Sequence, residues 1–181
     1  VTGAWAEGEI AALTAISELG EISAIDESDI ERHLSEVTDF LYGNIDGTFT
    51  TEQLEEAMQT VMDSYAGGIK TNYRFNEKQL DIADCKIRQL ETLTDDLYAE
   101  DFQELMYIYE LRERLVVARS VIAHLKARKE TRWHSFAENL DYPNKDNENF
   151  NKYVNSRLKD GEIEIILRDL VEGGRTYEHN D

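Results

Sequence analysis

The sequence of 181 residues contains one cysteine, one proline and no long apolar run. A single cysteine, Cys85, cannot form an internal disulfide, which is typical of proteins in reducing compartments. No segment approaches the roughly 20 consecutive apolar residues that span a bilayer, and the first residues lack the basic-then-apolar order of a secretory signal. These absences predict a soluble, cytoplasmic protein without a transmembrane segment.

Positive charge is also scarce, with 19 basic residues against 38 acidic ones and a formal net charge of −19. Such a chain repels phosphate backbones and anionic membrane surfaces, so nucleic acid is not an expected partner. The acids are dispersed along the sequence, which favours solvated helix faces. An acidic docking surface for a basic partner is the alternative.

Helix-breaking residues are few, since Pro143 is the only proline and there are ten glycines. Apolar residues recur at helical spacing in five segments, so that the predicted helices span 4–17, 28–42, 51–66, 77–97 and 102–129. The last of these is the longest, at about 40 Å for a rise of 1.5 Å per residue.

Polar residues and glycines mark the ends of these predicted helices. Ser28 and Thr50 each stand three residues before a Glu or Gln, which is the spacing of a capping box. Asn76 is a predicted cap of the fourth helix, Asp101 starts the fifth, and Gly67-Gly68 ends the third.

Long helices joined by short turns pack as an antiparallel bundle. We therefore predict a mainly α fold: an antiparallel helical bundle of three to five helices over 20–130, followed by an irregular loop, a small C-terminal β-hairpin and a flexible tail over 131–181. The hairpin is predicted because Asp160-Gly161 separates two alternating segments.

The sequence offers no strong catalytic or metal motif. The four histidines, His33, His124, His134 and His179, are far apart, and none has a second His or Cys at ligand spacing, so no metal site is predicted. No Walker, dinucleotide or nucleophile-elbow motif occurs, and no pair of carboxylates stands out as acid and base. We predict no catalytic residue.

Positive charge gathers at the end of the longest predicted helix, in Arg128, Lys129, Arg132, Trp133 and His134. The helix dipole favours cations at a helix C-terminus, which explains the cluster structurally. The functional alternative is a cationic, aromatic-lined contact for an anionic ligand, another domain or a partner subunit.

Three segments together resemble one family. They are "YAGGIKTNYRFNEKQLDIA" (65–83), "ELMYIYELRERLVVARSVIAHLKARKETRW" (104–133) and "LDYPNKDNENFNKYVNSR" (140–157). Their order is similar to that in the C-terminal helical domain of adenylylsulfate reductase alpha subunits, and of the wider fumarate reductase and succinate dehydrogenase flavoprotein family. The resemblance implies an FAD-dependent oxidoreductase as the parent protein.

The start of the chain, "GAWAEGEIAA", resembles the last helix of that family's FAD-binding domain, which implies that 1–19 is the end of a truncated FAD-binding domain. In the family, the positions matching Ala4 and Trp5 lie against the flavin ring, so these two are the implied cofactor-binding residues. Ala4 stands where a Ser is common, and Glu9 where an Arg is common.

The resemblance implies that this chain is a C-terminal part that supports its own FAD-binding domain and a contact with an iron-sulfur partner subunit. Arg128 to His134 and the loop to Phe150 would then be contact surface. FAD belongs to the parent protein, none is expected to bind this chain alone, and the chain alone is expected to be catalytically silent. The alternative is a stand-alone acidic helical module for protein interaction.

Overall fold

The computed structural model describes residues 2–20, 26–42, 47 and 49–170, and the chain divides after Thr38 into two compact units. The first unit contains α1 (Thr2–Ser17) and α2 (Glu27–Thr38). The second contains the helices α3 (Thr51–Tyr65), α4 (Glu77–Leu93), α5 (Phe102–Ala127) and α6 (Asn147–Phe150), and the strands β1 (Arg74–Phe75), β2 (Glu138–Asn139), β3 (Lys152–Lys159) and β4 (Glu162–Asp169). A mainly helical chain with a C-terminal hairpin confirms the predicted fold class.

Three predicted helix starts are confirmed by their hydrogen bonds. The Thr50 side chain accepts from the Gln53 N–H and the Gln53 side chain accepts from the Thr50 N–H, which completes a capping box. Asn76 accepts from the backbone of Gln79, and Asp101 accepts two N–H groups at the start of α5. These caps satisfy N–H groups that a helix leaves without internal partners.

The predicted start of the second helix is wrong. The helix begins at Glu27, and the Asp26 carboxylate accepts both the N–H and the hydroxyl of Ser28, at 2.9 and 2.7 Å. A carboxylate is a strong acceptor and also interacts favourably with the positive end of a helix dipole, so Asp26 takes the place that we assigned to Ser28. The helix is also shorter than predicted, since it ends at Thr38 and a 3₁₀ turn, Asp39–Leu41, follows. Gly43 and most of the turn after it lie outside the described residues.

The fourth and fifth helices are shorter than predicted. The α4 helix ends at Leu93 and a 3₁₀ turn follows, although Leu97 is still buried. The α5 helix ends at Ala127, and Arg128 has an extended backbone with ψ 98°. This early end is explained by the side-chain contacts of Arg128, which are described below.

The core of the second unit lies among α3, α4 and α5. The apolar faces of these three helices supply most of its fully buried side chains, among them Leu80, Ile87, Ile108, Leu115 and Ile122. Burying each such side chain stabilises the fold by about 1.5–3 kcal/mol. The helical bundle therefore has a closed interior of its own.

Ion pairs show how α5 lies against the preceding segment. Lys126 contacts Asp81, Arg119 contacts Glu91, and Arg112 contacts Asp95 in the turn after α4. As residue numbers rise along one segment they fall along the other. The two helices are thus antiparallel, as predicted.

A short parallel pairing of β1 with β2 joins the start of α4 to the loop after α5. The N–H of Glu138 donates to the Tyr73 carbonyl at 2.9 Å, and the N–H of Leu140 donates to the Phe75 carbonyl at 2.8 Å. The Asp141 carboxylate also accepts the N–H of Glu77 at 2.7 Å. This loop is therefore fixed to the bundle.

The C-terminal hairpin forms where it was predicted. Lys159 of β3 pairs with Glu162 of β4, and the register continues to Lys152 and Asp169. Asp160 and Gly161 both have positive φ, at 50° and 77°, as a type I′ turn requires. The hairpin packs on α5.

The first unit has no comparable core. Every described side chain from Ala4 to Gly20 is exposed, including large apolar ones: Trp5, Ile10, Leu13, Ile16 and Leu19. The α2 helix has no buried residue. No helix in the described parts of the chain is long and apolar enough to cross a membrane.

Candidate functional site

The segment that follows α5, residues 128–134, is called the corner here. At its centre lies Glu130, whose side chain is fully buried. Its Oε1 accepts from Arg128 and Arg132, both at 2.6 Å, and its Oε2 accepts from Arg132 at 2.9 Å and from the N–H of Asp146 at 2.7 Å. One carboxylate thus connects two guanidinium groups and a distant backbone.

The charge of Glu130 is maintained by these donors. Burial on its own would raise the pKa of this carboxyl group. The hydrogen bonds from Arg132, the Asp146 N–H and Arg128 outweigh burial, so that the pKa of Glu130 is lowered. The group is therefore ionised at neutral pH.

Both arginines also bind backbone carbonyl groups across the loop. Arg128 donates to the carbonyls of Phe150 and Lys152, each at 3.1 Å. Arg132 donates to Phe150 at 3.2 Å and to the side chain of Asn147 at 3.1 Å. These contacts fix α6 and the start of β3 to the corner, and they account for the departure of Arg128 from the α5 helix.

Thr131 forms a second buried link inside the corner. Its hydroxyl accepts the N–H of Asn139 at 3.0 Å and donates to the carbonyl of Tyr142 at 2.9 Å, and its own N–H donates to Asn144 at 3.1 Å. Sequence reasoning missed both Thr131 and Glu130. The sequence did contain a signal for Glu130, which is an acidic residue between Arg128 and Arg132. A buried carboxylate requires such partners of opposite charge.

The predicted cluster of five residues divides into two sets. Arg128 and Arg132 are used within the chain, with their side chains 29% and 19% exposed. Lys129 contacts Glu77 at 3.1 Å, Trp133 is 68% exposed, and the exposed ring of His134 lies 3.8 Å from Glu138. The role of these residues as an interface stays a prediction.

A cleft of about 300 Å³, called the corner cleft here, opens beside this segment. Its apolar lining includes Phe75, Leu125, Ala137 and Val154, and the rings of Trp133 and Tyr153 also line it. Its charged lining residues are three cations and one anion: Arg128, Arg132, Lys152 and Glu130. The lining thus combines apolar side chains with charged ones.

The predicted flavin contacts, Ala4 and Trp5, lie in the first turns of α1. They line an open depression together with Gly8 and Glu9, all from the same helix. The first turn has no acidic residue, so no carboxylate there offsets the positive end of the helix dipole. These four residues do not enclose a ring, and the role of Ala4 and Trp5 as flavin contacts stays a prediction.

The remaining candidates stay apart. No group of three or more His, Cys, Asp or Glu side chains that could hold a metal ion occurs in the described parts of the chain. His33 lies by Glu36 on α2, His124 lines the corner cleft, and Cys85 is exposed on α4. His179 falls outside the described residues.

Known proteins resemble this chain over most of its length. A family model described as the C-terminal part of fumarate reductase flavoprotein matches residues 55–173. The alpha subunit of adenylylsulfate reductase from Megalodesulfovibrio gigas is 30% identical over 95 residues, which are 52% of this chain and 14% of that protein.

Solved structures of reductases share the fold. Adenylylsulfate reductase from Archaeoglobus fulgidus matches 90% of this chain with 27% identity and a TM-score of 0.80, and an adenosine-5-phosphosulfate reductase in complex with sulfite matches with 28% identity and a TM-score of 0.79. A quinol-fumarate reductase with menaquinol matches in fold alone, with 21% identity and a TM-score of 0.75.

The match covers only part of these larger proteins. This chain spans 27% of each adenylylsulfate reductase chain and 29% of the quinol-fumarate reductase chain. The matched residues lie wholly within the second unit, from inside α3 to just beyond the hairpin. This chain therefore belongs to the fumarate reductase flavoprotein C-terminal family, and the helical bundle with its hairpin is the domain that carries the family match.

Proposed function

We propose that this chain is the C-terminal region of an FAD-dependent reductase subunit of the adenylylsulfate reductase type. Its role is to support the flavin-binding domain and to contact a partner subunit, while other parts of the parent protein supply the catalytic groups. Sequence identity supports this branch, since the adenylylsulfate reductases are 27–30% identical to this chain and the quinol-fumarate reductase is 21% identical.

The exposed apolar side chains of α1 and of the turn after it are the observation that carries this proposal. Trp5, Ile10, Leu13, Ile16 and Leu19 are between 61% and 79% exposed. Large exposed apolar patches mark surfaces that another protein or domain covers. A flavin-binding domain would cover this one.

The N-terminus of α1 gives this helix a second role in the proposal. FAD, when bound, supplies the hydride and electron chemistry of such enzymes. The backbone at Ala4 and Trp5 would face the flavin ring, and the positive end of the helix would stabilise negative charge on it. Neither residue supplies a catalytic side chain.

The corner would be the contact surface for an iron-sulfur partner subunit. The network around Glu130 holds Trp133, His134 and Lys129 at the surface. A rigid position lowers the entropy lost when a partner binds. A cytoplasmic location is part of the same proposal and stays a prediction from the single cysteine.

The test is to purify the product of the complete gene that encodes this chain. We expect it to retain FAD and to reduce adenylylsulfate rather than fumarate, while the 181-residue chain alone binds no FAD in a fluorescence titration. A complete product without an upstream flavin-binding sequence, or tight binding of FAD to the chain alone, would contradict the proposal.

A stand-alone interaction module is the second candidate, because the second unit has its own closed core. It predicts that the natural protein has no flavin domain and that the chain is monomeric and stable. If α1 instead makes the isolated chain self-associate, the reductase proposal is favoured.

A further inference from the structure

We propose that a cleft at the start of α3 and α5, called the acidic cleft here, receives an arginine side chain of a partner protein. Its described lining is separate from α1 and from the corner, so this role goes beyond the proposed function and does not depend on it. The acidic docking surface that the composition left open as an alternative would lie here. Three properties of the cleft point to this occupant: its aromatic lining, its charge and its preformed walls.

The acidic cleft is lined by three aromatic side chains and has room for one large side chain. Its volume of about 330 Å³ is at the lower end of the range for small-molecule sites, and its rings are those of Phe49, Tyr98 and Tyr107. Phe49 and Tyr107 are 40% and 44% exposed. An aromatic face attracts a cation, and guanidinium groups stack on such rings more often than ammonium groups do. The chain makes the same contact internally, since the Arg112 guanidinium lies 5.5 Å from the centre of the Phe40 ring.

The charged lining of the acidic cleft consists of two carboxylates, Glu52 and Glu104. Neither forms an ion pair with a described residue of the chain. Glu104 accepts the backbone N–H of Glu100 at 3.1 Å, and this donor brings no positive charge. The cleft therefore presents negative charge that its own described surroundings do not balance.

The sequence around the acidic cleft explains why these carboxylates lack a cationic partner. Residues 34–69 and 89–111, which supply the lining, contain fourteen acidic residues and no Lys, Arg or His. The two arginines that follow, Arg112 and Arg114, pair with other carboxylates: Asp95, Glu55 and Glu110. A basic group on a partner is therefore attracted to this surface, and an acidic one is repelled.

Helix dipoles do not account for all of this negative charge. Glu52 and Glu104 lie in the first turns of α3 and α5, where an acid interacts favourably with the positive end of the dipole. Each such end is equivalent to about half a positive charge. The Asp101 carboxylate caps α5 as well, so three carboxylates accompany about one positive charge. Negative charge thus remains beside three rings, which is the combination that a guanidinium group binds.

The walls of the acidic cleft are already fixed before binding. Thr50 caps α3 through the capping box, and the N–H of Ala99 donates to the Phe40 carbonyl at 2.9 Å, which fixes the segment before α5. The hydroxyl of Tyr107 accepts from the Gln103 side chain at 2.9 Å. Because these positions are set, little ordering of this chain accompanies the insertion of a side chain.

The test is a titration of the ¹⁵N-labelled chain, at constant ionic strength, with a pentapeptide blocked at both ends and of sequence glycine-serine-arginine-serine-glycine. We expect saturable shifts of the backbone amides of 49–52, 98 and 107, with a dissociation constant of about 5 mM or lower. The same peptide with citrulline, which keeps the shape of arginine without its charge, should give no saturable shift. The indole signal of Trp133, which does not line the cleft, is the reference that stays in place.

Matched variants separate the acidic cleft from the general attraction of a chain whose net charge is −19. Glu52→Gln should weaken binding of the arginine peptide about threefold, whereas Glu148→Gln, at an acid in the first turn of α6, should leave it unchanged. Tyr107→Leu removes a ring and should weaken binding at least about threefold, whereas Tyr153→Leu, at an exposed ring of β3, should not. Glu52→Gln keeps the test available if Tyr107→Leu does not fold.

Equal affinity for the two peptides, no saturable shift at the acidic cleft, or equal weakening by Glu52→Gln and Glu148→Gln would each overturn the inference. Tetramethylammonium bound as tightly as the arginine peptide would mean that a small quaternary ammonium ion is the occupant, and would also overturn it. None of these outcomes depends on whether the complete gene product retains FAD, so the proposed function is tested separately.

Discussion

At the scale of single residues, Glu130 joins segments of the second unit that no sequence motif predicted to be in contact. Its carboxylate accepts from two side chains of the corner and from the N–H of Asp146, which is 16 residues away. The partners of Arg128 lie up to 24 residues away. Helix caps depend on neighbours three residues away, so they were predictable, but these long-range partners were not.

Replacing Glu130 by Gln tests this connection. The side chain keeps its shape but loses its charge, so two largely buried guanidinium groups face an amide, and we expect the free energy of unfolding to fall by about 3 kcal/mol. Urea unfolding followed by circular dichroism at pH 7 measures the change. Glu148→Gln, on exposed α6, is the matched control and should lie within about 0.5 kcal/mol of the wild type. If the two substitutions lowered the free energy of unfolding equally, Glu130 would not have the role that we assign to it.

The lowered pKa of Glu130 also predicts how stability depends on pH. Because the pKa is lower in the folded state, the contribution is complete above the ordinary carboxyl pKa of about 4.3 and is lost as pH falls through the folded value. We expect the urea concentration at the unfolding midpoint to decrease as the pH is lowered below about 4.3. The decrease should be less steep in Glu130→Gln. Identical pH profiles for the two proteins would show that other carboxylates control acid unfolding.

At the scale of elements, the hairpin is attached to the helices through charged groups near its turn. Glu162 receives two hydrogen bonds from Arg88, at 2.8 and 2.7 Å, and one from Arg119 at 3.2 Å. Arg119 is only 6% exposed, and it also donates to the Gly161 carbonyl and to Glu91. The turn at Asp160-Gly161 was predictable from the sequence because it is local. Its attachment to α4 and α5 was not, since the partners are 42–74 residues apart.

Hydrogen exchange of the hairpin amides tests this attachment. Glu162→Gln removes the charge that holds the turn, and we expect faster exchange along β3 and β4 with no change in the core of α4 and α5. The control is Glu164→Gln, which weakens a 2.7 Å contact with Arg157 inside the hairpin. If the hairpin amides exchange at the same rates in both variants, the contact between the hairpin and the helices does not protect these amides.

At the scale of the whole molecule, the two units differ in how much of their surface the chain itself buries. The second unit encloses its core, whereas the described side chains of α1 are all exposed. The helical spacing of apolar residues predicted the two helices of the first unit as well as the helices of the bundle. It could not show which apolar faces would meet within this chain, because that depends on tertiary contacts.

Substitution of Leu13 tests whether another domain covers α1. In the 181-residue chain this side chain is 61% exposed, so Leu13→Gln should change the melting temperature by less than about 2 °C. In the complete gene product the same change should destabilise the protein by about 2 kcal/mol or more and weaken FAD retention, because the proposed flavin-binding domain would bury this side chain. Val117→Gln, also at a residue that is 61% exposed, is the control expected to affect neither protein. The same effect of Leu13→Gln in both proteins would mean that α1 stays uncovered in the complete gene product.

The parallel pairing of β1 with β2 has a consequence for the order of folding. The contacts of Arg74 with Glu138 and of Glu77 with Asp141 each join residues 64 positions apart. Closing a loop of that length in an unfolded chain costs roughly 4 kcal/mol of conformational entropy. The strand pairing forms only a few hydrogen bonds that offset this cost. Once α4 and α5 have paired, their antiparallel contacts bring the two strands close together, so the loop is already closed. We therefore expect the strand pairing to form late, so that it slows unfolding and has little influence on the rate at which the bundle forms.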